Sequence, residues 1–179
     1  NPPWHLVDYW WDFGKDAGFE SCEVDFTLNN DVNPKVRLYI APVGLGHFNK
    51  VAFYGGIQTQ SDGYRTYPHP RRREYIGKGA IFSRWGERDI KATRKSEGGL
   101  FESGGYEGDF ISVRNKFNWT KGRYTYRLKR GKTETIKGKK HTWVDGFVYS
   151  HADKKTVKIG SLRFAGTKLV LGRRLAGFI

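Results

Sequence analysis

Short segments in which apolar and polar residues alternate, separated by glycine-rich turns, constrain the fold of this chain most strongly. The clearest runs from Phe19 to Leu28, where every second side chain from Cys22 onward belongs to one apolar face. About ten such segments follow one another, and no helical pattern longer than two turns interrupts them. Because 179 residues suit a single domain, we predict an all-β, antiparallel β-sandwich, jelly-roll or concanavalin-like, over residues 19–179.

The other predicted strands follow from the same alternation and from the turn residues between them. Pro42 and two nearby glycines are expected to end the second strand, and Gly55-Gly56 indicates a bulge or a close approach of two backbones. After Leu28 the predicted strands are 35–41, 51–60, 79–86, 110–114, 123–130, 141–150, 156–164 and 168–171. The predicted connections are a long loop at 61–78, an exposed polar segment at 87–96, a tight glycine-rich loop at 98–105 and a flexible basic hairpin tip at 131–140.

The first 18 residues contain a dense group of aromatic rings interspersed with acids. Such a segment usually packs across an end or an edge of a sheet, so we predict a lead-in over residues 1–18 that packs on the sandwich. A platform for stacking sugar rings is the alternative, because planar rings fit the apolar faces of pyranoses. The rings are Trp4, Tyr9, Trp10, Trp11 and Phe13.

Charge is distributed unevenly along the chain, which has a formal net charge of +14. Residues 1–31 contain seven acids and one base, whereas the rest contains 31 Lys or Arg and 11 acids. Such a field attracts polyanions, so nucleic acid, acidic polysaccharide and an anionic membrane surface are all possible partners. The alternative is a soluble basic protein whose lysines are only solvated. No apolar run is long enough for a transmembrane helix, and no known nucleic-acid motif is present.

Motifs of common enzyme classes are missing from the sequence. Cys22 is the only cysteine and is in phase with an apolar face, which indicates a buried, inert thiol and excludes an intrachain disulfide. The five histidines are scattered singly, so a zinc site is not expected. We therefore favour a binding module over an enzyme and predict no catalytic residue.

The long loop at 61–78 is the strongest candidate for recognition. It combines several aromatic rings with three consecutive arginines, whose guanidinium groups suit phosphate, sulfate or carboxylate. A solvated surface loop is the alternative interpretation. The predicted ligand-binding residues, in this loop and in the segments after it, are Tyr64, Tyr67, Arg71, Arg72, Arg73, Arg84, Trp85, Glu102 and Tyr106.

Four acids lie in or beside the glycine-rich loop: Glu97, Glu102, Glu107 and Asp109. Ion pairing with the abundant Arg and Lys is the first interpretation. A structural Ca²⁺ held by Glu107 and Asp109 is the second, because acidic glycine-rich loops supply oxygen ligands. Glycoside hydrolysis by two facing carboxylates is the third. No other cofactor is predicted.

Several short motifs resemble an uncharacterised family of secreted proteins with a domain of unknown function. They are GGIQ at 55–58, GAIFSRWG at 79–86, EGG at 97–99, a W-x-x-G-x-Y pattern from Trp119 to Tyr124, and IGSLRFAG at 159–166. The resemblance covers about residues 50–179. It implies a concanavalin-like or jelly-roll sandwich, extracellular placement and an association with carbohydrate modules, and it implies no catalytic residues.

Two further features bear on secretion. Residues 118–120 form an N-glycosylation sequon, Asn-Trp-Thr. The chain has no Met and starts with Asn1-Pro2-Pro3, from which we expect a processed mature protein or an excised domain. The prediction is thus a secreted, extracellular β-sandwich that binds acidic or sulfated polysaccharide through aromatic and Arg or Lys side chains. The alternatives are a glycoside hydrolase or polysaccharide lyase on the same fold, and a self-assembling structural protein; nucleic-acid binding is not favoured.

Overall fold

The computed structural model describes residues 6–65 and 72–179, and these form strands and a single 3₁₀ turn, Ile90–Ala92. The high strand content matches the alternating pattern of the sequence. In chain order the strands are β1 (Asp8–Asp12), β2 (Ala17–Gly18), β3 (Ser21–Leu28), β4 (Tyr39–Phe48), β5 (Val51–Gln58), β6 (Gly63–Arg65), β7 (Arg72–Glu74), β8 (Gly79–Trp85), β9 (Thr93–Lys95), β10 (Leu100–Gly104), β11 (Phe110–Lys116), β12 (Gly122–Ile136), β13 (Lys139–Ser150), β14 (Lys155–Ala165), β15 (Val170–Leu171) and β16 (Arg174–Phe178).

The strands are arranged in two large sheets and one short ribbon. The larger sheet has nine strands, with the order β1-β16-β4-β5-β8-β11-β10 and with β15 pairing to β4 and β2. The smaller sheet has the order β3-β12-β13-β14-β9, and β6 and β7 form the ribbon. The strand pairs in the described part of the chain are antiparallel, and neither sheet closes into a barrel there. The predicted all-β, antiparallel class is therefore confirmed.

The two large sheets contact each other through one hydrophobic core. The rings of Phe82 on β8 and Phe164 on β14 stack with their centroids 6.5 Å apart. The Tyr126 hydroxyl of β12 donates a hydrogen bond of 2.9 Å to the Ile81 carbonyl of β8, so even a buried polar group of one sheet is satisfied by the other. Each strand of the interface thus buries the side chains of one face, which is why apolar residues alternate in the sequence.

The close approach predicted at Gly55-Gly56 is confirmed. A Cβ at Gly56 would lie 2.7 Å from the Ala41 Cα of β4, and one at Gly55 would lie 3.0 Å from the Ile81 carbonyl oxygen. Because no side chain has room at either position, these glycines let β5 lie directly against its neighbours.

β4 is longer than predicted, because it continues through Pro42 to Phe48. The pairing of β4 with β5 shifts register on both sides of Val43, so the proline, which has no N–H, lies in an irregular stretch that needs no ladder bond from it. A Cβ at Gly46 would lie 2.5 Å from Cζ of Phe53. The glycine therefore makes room for a core ring and does not end the strand.

All four predicted connections contain regular structure. The long loop predicted at 61–78 includes β6 and β7, which pair as the ribbon. The segment 87–96, predicted to be an exposed connection, includes the 3₁₀ turn and β9, which completes the edge of the smaller sheet. The predicted glycine loop at 98–105 contains β10. The predicted flexible tip at 131–140 is mostly strand, and only Lys137 and Gly138 form its turn, both with positive φ. β9 and the hairpin tip are largely exposed, and β10 is buried on both faces, so none of these segments shows apolar alternation.

The aromatic lead-in forms a strand where the sequence suggested an irregular segment. β1 pairs with β16 at the edge of the larger sheet. Trp11 packs against the core, whereas Trp10 and Phe13 are exposed. Trp4 lies outside the described residues.

The thiol of Cys22 is half-buried and packs against the core. Burial, with a smaller effect from Glu23, raises the pKa of this thiol to about 11. The thiol therefore stays protonated at neutral pH, where it is a poor nucleophile.

Candidate functional site on the outer face of the larger sheet

Four strands of the larger sheet place polar side chains in one row on the face that points away from the core. Core residues such as Phe82 alternate along each strand with residues of this outer face. The register aligns Tyr54 of β5 with Ser83 of β8, Ser83 with Ser112 of β11, and Ser112 with Glu102 of β10. Segments distant in sequence thus form one polar row, which we call the outer-face row.

A buried ion pair lies at the β10 end of this row. Nη1 of Arg114 donates to Oε2 of Glu102 at 2.8 Å and to Oγ of Ser112 at 2.9 Å. The Arg114 and Glu102 side chains are only 8% and 1% exposed. The backbone of the ribbon covers the pair, since a Cβ at Gly63 would lie 2.7 Å from Nη1. Two opposite charges are thus held together out of solvent, where breaking the pair is costly.

Two tyrosine hydroxyls belong to the same cluster. Tyr106 donates to Oε1 of Glu102 at 3.3 Å, and its ring meets Phe110 edge-on at 5.0 Å. Burial of the hydroxyl, followed by the Glu102 carboxylate, raises the pKa of Tyr106 to about 12. Burial also raises the pKa of Tyr54, whose hydroxyl is hydrogen-bonded to Ser83. Both hydroxyls therefore stay protonated at neutral pH and act as hydrogen-bond donors.

Exposed aromatic rings lie around the buried cluster. The half-buried ring of Trp85 lies 5.3 Å from the ring of Tyr54. Tyr106 is 61% exposed, and Tyr39 on β4 and Tyr64 on β6 are exposed as well. The outer face therefore combines flat apolar surfaces with hydrogen-bonding groups at its centre, as ligand sites do.

Three buried polar atoms at this end of the sheet have no hydrogen-bond partner among the residues that the structure describes. They are Nε of Arg114, Nε2 of Gln58 and Oγ of Ser61. Gln58 lies on the same face of β5 as Tyr54, and Ser61 packs over Gly79, the partner of Gln58 on β8. Buried donors are nearly always bonded, so these three atoms are exceptions in this part of the sheet.

Six of the predicted ligand-binding residues lie on this face or on the ribbon beside it: Tyr64, Arg72, Arg73, Trp85, Glu102 and Tyr106. On the ribbon, Arg72 pairs with Glu74 at 3.1 Å, and Nη2 of Arg73 lies 3.7 Å from Asp62. Tyr67 and Arg71 lie outside the described residues.

Arg84 is separate from the other predicted ligand-binding residues, because its side chain points towards the core. It is 6% exposed, its guanidinium donates to the carbonyls of Arg163 and Trp85, and it lies 4.6 Å from the ring centroid of Phe164. Burial lowers the pKa of Arg84 to about 10, so the group remains cationic at neutral pH. Its contacts within the protein give it a structural role in joining the two sheets.

Sequence reasoning missed Tyr54, Ser112 and Arg114. Arg114 ends a predicted strand and is in phase with Ser112, and a charged residue within an otherwise apolar strand was an available signal. Its partner could not be identified without the pairing of β10 and β11.

The acids around β10 are used mainly for ion pairing, which was the first of the three interpretations. Glu102 pairs with Arg114, and Asp109 lies 3.4 Å from Nη1 of Arg88. Within the described ranges, no group of three or more His, Cys, Asp or Glu side chains could hold a metal ion. Calcium binding by Glu107 and Asp109 stays a prediction.

The outer face of the smaller sheet is built differently. Trp143 of β13 lies under Arg94, with 3.9 Å from Cζ to the ring centroid, and donates from Nε1 to Glu134 at 2.8 Å. Arg94 and Arg163 both pair with Glu134, at 3.3 and 3.7 Å. Aromatic and charged groups of this face therefore satisfy one another.

Comparison of the chain with models of known protein families, with curated proteins and with solved structures finds no match. The resemblance to a secreted family therefore stays a prediction. Among the described residues, no helix has the length and apolar character needed to cross a membrane.

Proposed function

We propose that the chain is a β-sandwich of the jelly-roll or concanavalin-like type that binds acidic polysaccharide on the outer face of its larger sheet. The observation that carries the proposal is the convergence of Tyr54, Trp85, Glu102, Tyr106 and Arg114 on that face. Rings next to fixed hydrogen-bonding groups suit a sugar, which has apolar faces and a rim of hydroxyls.

Each group has a role that follows from its contacts. The exposed ring of Tyr106 and the ring pair of Tyr54 and Trp85 stack on sugar faces. The Tyr106 hydroxyl donates its proton to Glu102, so its oxygen accepts hydrogen bonds from sugar hydroxyls. Glu102 is buried and pairs with Arg114, so its role is to hold the Tyr106 hydroxyl in place beside the exposed ring. The net charge of +14 concentrates an anionic polymer near the surface.

Extracellular placement is part of the same proposal. Asn118 and Thr120 of the sequon are exposed, whereas Trp119 between them is buried and donates from Nε1 to the Gln58 carbonyl at 3.1 Å. The acceptor asparagine is therefore accessible in the folded chain, which glycosylation in a secretory pathway requires.

The test is binding to a panel of acidic and neutral glycans at two salt concentrations. Tyr106→Ala should raise the Kd for the bound glycan about tenfold, because an aromatic anchor contributes roughly 1.4 kcal/mol. Tyr149→Ala, the same change on the outer face of the smaller sheet, is the matched control and should leave the Kd unchanged.

Urea unfolding of both variants separates lost binding from lost stability. Absence of glycan binding by the wild-type protein, or equal losses in the two variants, would overturn the proposal. A steep salt dependence with equal affinity for nucleic acid and glycan would instead indicate general polyanion binding.

A polysaccharide lyase or glycoside hydrolase is the second candidate function. Tyrosines with perturbed pKa values beside a buried Arg–Glu pair are typical of functional sites, including active sites. The shifts are upward, however, whereas a tyrosine that removes a proton needs an accessible ionised form. Release of reducing or unsaturated ends from the same glycans would favour the enzyme.

A further inference from the structure

An exposed tryptophan lies at the edge of the larger sheet opposite to β10. Trp10 of β1 is 59% exposed, while its neighbours Tyr9 and Trp11 contact each other edge-on at 4.8 Å on the other side of the strand. Trp11 packs against the core, so strand alternation directs Trp10 outward. Nothing in the core requires this ring.

Trp10 lines an open groove of about 730 Å³ together with His47, Lys50 and the two arginines Arg173 and Arg174. We call it the Trp10 groove. Lys50 has no ion pair with any residue that the structure describes. The groove thus presents a flat ring beside cationic groups.

Two acids partly offset these cations. Asp12 lies 3.2 Å from Nη2 of Arg173 and 3.3 Å from Nε of Arg174, and Asp16 accepts the backbone N–H of Arg173 at 2.8 Å. These contacts fix the wall of the groove and leave the charge of Lys50 uncompensated. The groove therefore suits an anionic ligand with an apolar face.

The Trp10 groove opens on the same face as the outer-face row. His47 of β4 pairs with Ala52 of β5, and Ala52 is two residues from Tyr54, so these side chains lie on one side of the sheet. β1 and β10 are separated by six inter-strand spacings, which corresponds to about 29 Å at about 4.8 Å each. The two regions thus lie at opposite ends of one face.

We propose that the Trp10 groove is a second subsite for the same acidic polysaccharide chain, which crosses the sheet from Tyr106 to Trp10. This inference rests on the proposed function. A chain bound at one subsite is held at high effective concentration near the other, so a long chain binds more tightly than a short one without any new contact type.

A second copy of the protein is the competing occupant of the Trp10 groove. Each chain has a net charge of +14, which opposes association through a cationic surface and favours an anionic partner.

The experiment measures binding of disaccharides and octasaccharides, from galacturonan and from heparin, to the full chain. For the bound class, the octasaccharide should bind the wild-type protein at least about tenfold more tightly than the disaccharide. Trp10→Ala should remove this gain and leave disaccharide binding at the Tyr106 site unchanged. Lys50→Gln should reduce the gain partially, and Phe13→Ala, a change of an equally exposed ring outside the groove, should not affect it.

The outcomes separate the two proposals. Suppose that disaccharide binding depends on Tyr106. The second subsite alone is then overturned if the octasaccharide binds no more tightly than the disaccharide, or if its higher affinity survives Trp10→Ala. Absence of binding at both lengths overturns the proposed function as well. If the wild-type protein sediments as a dimer and the Trp10→Ala variant sediments as a monomer, the groove binds a second copy and the subsite proposal is overturned.

Discussion

The two outer faces of the molecule carry similar residue types in opposite arrangements. On the smaller sheet, charges pair with one another in solvent: Arg123 with Asp25 and Arg127 with Glu23, all with side chains more than 40% exposed. On the larger sheet, one pair is withdrawn from solvent beneath the ribbon. The same chemistry is thus exposed to solvent on one face and buried on the other.

The difference concerns how each face treats its charges, and our proposal assigns the ligand to the face with the buried pair. Exposed ion pairs contribute little to stability and mainly keep a strand face soluble. A buried pair costs desolvation and persists where its surroundings hold it in one geometry. The larger sheet therefore carries the recognition site in our proposal, although the smaller sheet presents more ion pairs.

The largest expected effect comes from breaking the buried pair. Arg114→Ala leaves Glu102 buried without its cation and should lower the free energy of unfolding by about 3–5 kcal/mol, measured by urea denaturation. Arg123→Ala, the equivalent change on the smaller sheet, should cost less than about 1 kcal/mol.

A double variant sharpens this test. Arg114→Met combined with Glu102→Leu replaces both charges and should recover most of the lost stability, because no unpaired charge remains. Equal losses for Arg114→Ala and Arg123→Ala would show that the two faces do not differ energetically.

An intermediate effect is expected from the hydrogen bond between Trp143 and Glu134 on the outer face of the smaller sheet. Glu134→Ala removes the acceptor of the Trp143 Nε1–H, and Trp143 is 2% exposed, so the unfolding free energy should fall by about 1–3 kcal/mol. Glu134→Gln keeps an acceptor oxygen at the same place and should recover at least half of that loss. If Glu134→Gln is as unstable as Glu134→Ala, the stabilisation comes from the ion pairs of Glu134 with Arg94 and Arg163 and not from its hydrogen bond with Trp143.

Local sequence patterns were sufficient where one face of a strand packs on the core and the other is exposed. The alternation from Cys22 to Leu28 predicts β3, whose residues alternate in exposure along its whole length. It fails for β10, where two large apolar side chains, Leu100 and Phe101, are adjacent and polar and small residues follow. It also fails for β4, where Pro42 lies at a register shift within the strand. Such strands are defined by their neighbours and not by their own sequence.

The candidate site was predictable only in part for the same reason. Glu102, Tyr106 and Trp85 were identified from residue type, because rings and acids near glycines are typical of binding sites. Tyr54 and Arg114 join them through pairing of four strands distant in sequence, and no local pattern encodes that register. Arg84 shows the converse, since its residue type suggested binding whereas strand alternation turns it towards the core.

The smallest expected effect is a pH dependence on the smaller sheet. The Thr125 hydroxyl, followed by the Arg123 guanidinium, lowers the pKa of Asp25 below its ordinary value. A carboxylate with a lowered folded-state pKa contributes stability above its unfolded pKa of about 3.9, and this is lost as the pH falls through the folded value. Asp25 is 46% exposed, so solvent screening limits the contribution to less than about 1 kcal/mol. Asp25→Asn should therefore be slightly less stable than wild type at neutral pH, and the difference in urea midpoints should close as the pH falls below the folded-state pKa of Asp25. Thr125→Val removes the first of these two causes and should reduce this pH dependence. If the stability difference between wild type and Asp25→Asn is instead constant with pH, the contribution of Asp25 comes from its packing and not from its charge.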